Sequence, residues 1–144
     1  MFKRILVPTD GSEITAKAVA TSIELARSTG AKLYTISVKE PFPYSAISEM
    51  QPTPPQEFFD AQERIAAQRV QSVARQCAEA DVACQAHTCE ALHPWEAIID
   101  HANRTECDLL VMASHGRRGV SALLLGSETQ KVLTHTKIPV LIVR

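Results

Sequence analysis

The strongest constraint on this chain is an alternation. Five short apolar runs are separated by four segments of helical periodicity. Strands that alternate with helices imply a parallel sheet, because each parallel pair needs a long crossover, and helices then cover both faces. Crossovers are almost always right-handed, which narrows the topologies further. The sequence therefore reads as α/β, an open doubly wound parallel sheet.

Along the chain, residues 3–7 form the first strand, closed by Pro8. Thr9-Asp10-Gly11-Ser12 follows as a turn, with Ser12 as the N-cap of a helix reaching about Thr29. Ala18, Val19, Ser22, Ile23 and Ala26 share one face of that helix, and Gly30 stops it. Residues 33–38 are β-branched and aromatic, so they form the second strand. Residues 41–55 hold five of the eight prolines and read as an irregular excursion, either a lid or partner contact or a plain surface connection. Residues 56–80 return to helix, with Phe59, Ile65 or Ala66, Val70, Val73 and Cys77 at steps of three or four. Residues 82–88 alternate as a half-exposed edge strand. His93-Pro94 opens a short helix burying Trp95, Ile98, Ile99 and Ala102. Residues 107–112 are the fourth strand. The Gly126-Ser127 step opens a helix ending near His135, and residues 139–143 are the last strand.

The 144 residues suit one domain, 1–144. A net charge of −1 sets up no field for nucleic acid or a membrane surface. No apolar run approaches the ~20 residues of a membrane span, and the one after Arg4 ends at Pro8, too short for a signal-peptide core. The expectation is a cytoplasmic protein with neither nucleic-acid nor membrane partners. Cys77, Cys84, Cys89 and Cys107 form no C-x-x-C pair and are expected as free thiols. His87, His93, His101 and His135 lack metal-ligand spacing and are expected at the surface or at caps.

The chemistry concentrates in residues 109–129. An apolar strand runs straight into Ala113, Ser114, Gly116 and Gly119, then a leucine triplet expected in the core, then Gly-Ser-Glu-Thr at a helix start. Glycines let backbone amides approach a ligand, Ser127 can cap the helix, and a helix N-terminus favours anionic oxygens. Strand, glycine loop and helix start outline a phosphate cradle. The loop after the first strand carries Asp10, a candidate for nucleotide or metal, with turn capping as the plainer role. Arg117 and Arg118 could neutralise phosphate or simply be solvated. His115 has no obvious partner for acid–base work.

Competing motifs are missing. No Gly-x-Gly-x-x-Gly follows the first strand, no Gly-Lys-Ser/Thr exists, and no Gly-x-Ser-x-Gly elbow exists.

With these residues in view, the chain resembles the universal stress protein family over essentially its full length. The resemblance rests on Ile5-Leu6-Val7-Pro8-Thr9-Asp10-Gly11-Ser12, on residues 108–116, on Leu124-Leu125-Gly126-Ser127 and on Ile138-Pro139-Val140-Leu141-Ile142-Val143. The family's nucleotide-binding branch carries Gly-x2-Gly-x9-Gly-Ser/Thr. Here that spacing reads Ala113, Gly116, Gly126, Ser127, with alanine in place of the first glycine. The resemblance implies a five-stranded sheet of order 3-2-1-4-5 and a homodimer joined through the last strand. It implies ATP as the bound adenine nucleotide, with a divalent ion, magnesium or manganese, at the phosphates. By position, Pro8, Thr9, Asp10 and Val38 would line the adenine and ribose end. Met112, Ala113 and His115 would flank the ribose, while Gly116, Gly126, Ser127 and Thr129 would hold phosphates. No protein metal ligand is singled out beyond Asp10. The implied role is a stress-response or signalling module with little chemistry. The alternatives are a slow ATP hydrolase on the same site, or a dimeric interaction protein without nucleotide, should Ala113 block the pocket.

Overall fold

The computed structural model describes residues 1–39, 41, 55–116 and 124–144. Its elements are β1 (Arg4–Pro8), α1 (Glu13–Thr29), β2 (Lys32–Lys39), α2 (Gln56–Glu79), β3 (Cys84–Glu90), α3 (Pro94–Arg104), β4 (Leu109–Ala113), α4 (Ser127–His135) and β5 (Val140–Val143). All pairings are parallel and the strand order is β3-β2-β1-β4-β5, the doubly wound arrangement expected. The expected 41–55 excursion lies outside the described residues except at its ends, as do Arg117, Arg118, Gly119 and Leu123.

Alternation along the strands sorts the core into two layers. Ile5, Val7, Leu33, Leu109, Val111 and Ala113 face α1 and α2, where they meet Val19, Ile23, Val73 and Cys77. Leu6, Tyr34, Ile36, Leu110 and Met112 face α3 and α4, against Ile98, Ala102 and Val132. β1 and β4 are central and bury both faces, so they read as continuous apolar runs. β3 is an edge strand and only half buries one side.

Local chemistry fixes the ends. Ser12 Oγ accepts from the Thr15 amide, and Gly30 closes α1 at φ 74°, a left-handed conformation that suits glycine. At the opposite end of the sheet from the glycine loop, the Asp108 carboxylate accepts from the amides of Lys3 and Arg4 and so aligns β1 with β4.

Three expectations need correction. Gly126, not Ser127, occupies the N-cap of α4, and Ser127 is the first helical residue. Leu124 is 70% exposed, so the leucine triplet is not wholly core. His101 is buried, because it lies on the face of α3 that packs toward the sheet, where His87 of β3 stacks on it at 4.4 Å.

Candidate functional site

Pro8 closes β1, Val38 sits one residue from the end of β2, and Met112 and Ala113 close β4. All four mark the carboxyl end of the sheet. Between β1 and β4 the strand order reverses, since the chain runs outward through β2 and β3 on one side and to β5 on the other. Ligands of open α/β sheets bind in the crevice beyond the strand ends at such a reversal.

The loop after β1 is held from within. The Thr9 amide donates to Ile36 O at 2.9 Å, and Thr9 Oγ1 accepts from the Gly11 amide at 3.2 Å. Gly11 turns the chain at φ 78°. Asp10 Oδ1 accepts from the Ser12 amide at 2.9 Å and from Thr15 Oγ1 at 3.0 Å. This carboxylate therefore organises the start of α1, as the plainer reading held. Its second oxygen points across the reversal, because a Cβ built on Gly116 would lie 2.9 Å from Asp10 Oδ2. The two glycine-bearing loops thus touch, as neighbouring β1 and β4 require.

Ser114 pins the other side. Its amide donates to Val143 O at 2.8 Å, and its carbonyl accepts from the Gly126 amide at 2.7 Å. Its hydroxyl lies 3.2 Å from His115 Nδ1. A Cβ on Gly126 would approach His115 Cα to 3.0 Å, so Gly126 is needed where two backbones meet. The Gly126 N–H is thus engaged by its own chain. Thr129 is buried, and its hydroxyl donates to Ala113 O at 2.9 Å. A hydroxyl has one proton, so this one cannot also donate to phosphate.

Donors on this side begin one residue later. The amides of Ser127, Glu128 and Thr129 occupy the first turn of α4 and have no intrahelical acceptor, whereas the Gln130 amide closes on Gly126 O. Ser127 and Gly116 are both exposed, and His115 is half-buried. Ala113 lies in regular strand, and its methyl packs in the layer beneath α1, on the face opposite Met112. An alanine here neither strains the backbone nor points into the loop.

Sequence reasoning passed over three residues. Thr15 fixes Asp10, and its signal was its place three residues after the Ser12 cap. Ser114 reads in the sequence only as one of the small residues after the fourth strand. Glu128, in the first turn of α4, reaches across to accept from the Trp95 amide at 2.8 Å and so caps α3. No group of three or more His, Cys, Asp or Glu converges on a metal position among the described residues.

The fold is a doubly wound α/β sheet with a crevice at its carboxyl end, lined among the described residues by backbone and short side chains. The universal stress protein family model matches residues 1–144, and the chain belongs to that family. It is 34% identical over 148 residues to a universal stress protein of Thermus aquaticus, covering all of both chains. The solved structure of MJ0577, from Methanocaldococcus jannaschii, superposes with a TM-score of 0.84 at 23% identity, covering 99% of this chain and 96% of that one. A universal stress protein solved in complex with cAMP matches with a TM-score of 0.68 at 24% identity, covering 99% and 97%.

Proposed function

We propose that residues 1–144 act as a single domain that binds an adenine nucleotide, ATP, in the crevice between the β1 and β4 loops. The observation that carries this reading is the apposition of the Asp10 loop to Gly116 beside the first turn of α4. The first-turn amides of Ser127, Glu128 and Thr129, which have no intrahelical acceptor, and the exposed Ser127 hydroxyl form an anion-binding end suited to phosphates. Pro8, Thr9 and Val38 offer a small, largely apolar wall for the base, with Met112 and His115 toward the ribose. A magnesium or manganese ion at that end takes its ligands chiefly from phosphate and water. The complex of a fold relative with cAMP supports an adenine nucleotide as the ligand class.

The same reading makes the protein a cytoplasmic homodimer through β5. That strand pairs with β4 on one side, and Leu141 at its middle is 39% exposed. An unpaired apolar strand edge is a template for a second strand. The role is stress response or signalling through occupancy, with little or no turnover. Isothermal titration of purified protein with ATP and magnesium tests the site. Saturable heat that disappears in Gly116→Val supports the reading, and no heat at millimolar ATP refutes it.

A further inference from the structure

We propose that Cys84 and Cys77 form a peroxide-reactive dithiol, closing to an intramolecular disulfide on the side of the sheet away from the nucleotide crevice. The two thiols are seven positions apart and are brought together by a tight reversal. α2 ends at Glu79, the Val82 amide donates back to Cys77 O at 2.9 Å, and Asp81 takes a left-handed φ of 56° to make the turn. Cys77 is fully buried in the layer beneath α1 and α2, and Cys84, the first residue of β3, packs against the same cluster. The two thiols lie close enough to perturb each other, Cys77 upward and Cys84 downward. Both sulfurs are present as free cysteines.

The pair is chemically asymmetric. Cys84 is half-buried on an edge strand. Its thiol is pulled down from the usual range, first by the neighbouring Cys77 thiol and then by the nearby Lys32 ammonium, against the opposing effect of burial. Lys32 is held in place on β2 by Gln85 Oε1 at 3.1 Å and lies over the Tyr34 ring. The Cys77 thiol is pushed up by the neighbouring Cys84 and by burial. A thiolate-prone, partly accessible sulfur beside a buried thiol is the arrangement of an attacking and a resolving cysteine. Cys89 and Cys107 are raised chiefly by burial, so they serve as unreactive references within the same chain.

The reaction balances as follows. The Cys84 thiolate attacks one oxygen of a hydroperoxide. The O–O bond breaks, the other oxygen leaves and is protonated to water or alcohol, and Cys84 becomes a sulfenic acid. The Cys77 sulfur then attacks the Cys84 sulfur, the S–O bond breaks, and the departing hydroxide takes the Cys77 proton as water. Two thiols lose two electrons and two protons in total, and one peroxide is reduced.

The test uses the full-length protein, reduced, desalted and treated with one equivalent of hydrogen peroxide. N-ethylmaleimide then blocks remaining thiols. Cleavage after Glu79 separates the two cysteines, so a linked peptide reports the disulfide directly. Because Cys84 and Cys89 share the next fragment, Cys89→Ser is run in parallel. The expected result is a Cys77–Cys84 link in both proteins, with Cys84 reacting at least about tenfold faster than Cys89 or Cys107. Cys77→Ala is expected to leave a Cys84 sulfenic acid that dimedone traps, and Cys84→Ser to abolish the reaction, each with an unchanged far-ultraviolet spectrum. Should Cys77→Ala fail to fold, the wild-type linkage map and the Cys84→Ser rate decide. Full alkylation of both cysteines after peroxide, a link through Cys89 or Cys107, or an unchanged rate in Cys84→Ser would overturn the proposal.

Discussion

Substituting Gly116 with alanine tests the contact on which the site rests. Gly116 does not adopt a left-handed φ, so alanine meets no backbone strain there. At such a position Gly→Ala stabilises by about 0.4–1 kcal/mol, through the lower entropy of the unfolded chain. Here the new methyl would sit 2.9 Å from Asp10 Oδ2. That oxygen is not on a free side chain, because the same carboxylate holds the Ser12 amide and the Thr15 hydroxyl. Relieving the overlap means straining those bonds, and overpacking of this kind costs about 1–3 kcal/mol. The net effect is a loss of about 0.5–2 kcal/mol, or about 0.3–1 M in the urea midpoint for an m near 2 kcal/mol/M. In an Asp10→Ala background the clashing oxygen is gone. The same Gly116→Ala change should then become stabilising, with a coupling energy of about 1 kcal/mol or more. Urea unfolding of the four proteins followed by circular dichroism supplies the cycle. Equal effects of Gly116→Ala in both backgrounds would refute the claim that the two loops touch at this point.

Two further outcomes follow from the same structure. His101 is held below its usual pKa, first by burial and then by His87 and Arg104, with Asp100 opposing. The unfolded chain therefore takes up the proton first, and stability should decline as pH falls below about 6.5 and level off below the depressed folded value. His101→Gln should flatten that part of the unfolding profile, and an identical pH slope in the variant would contradict the assignment. Leu141→Lys places a charge at the middle of the exposed β5 edge, and light scattering should show the particle mass falling by half. A dimer that survives this change would not be joined through β5.

Elements were legible where periodicity was strong. Val7, Leu33, Val111 and their neighbours announce strands because both faces are buried, and Ser12 and Gly30 announce the ends of α1 because capping is local chemistry. The meeting of the two loops at the candidate site was legible, the bonds their donors make less so. Glycine spacing signals close approach of backbones without saying what approaches. Gly126 turned out to face His115 and Ser114 of its own chain, and Gly116 to face Asp10. The hydroxyl of Thr129 reads in sequence as available, and only the fold reveals its partner at Ala113 O. That Cys77 and Cys84 pack into one cluster depends on how sharply the chain turns at Asp81, which no spacing rule encodes.

Ser114 shows why spacing in this loop matters even where no ligand is touched. One residue joins β5 through its amide, the N-cap of α4 through its carbonyl, and His115 through its hydroxyl. It is buried, so water cannot replace those backbone partners cheaply. The first turn of α4 and the outer edge of β5 are therefore positioned by opposite sides of the same peptide unit pair. A change that slid β5 along β4 would move Val143 O and, through Ser114, the first turn of α4. The crevice and the strand edge are thus parts of one mechanical unit, and the short, small-residue exit from β4 is what makes them so.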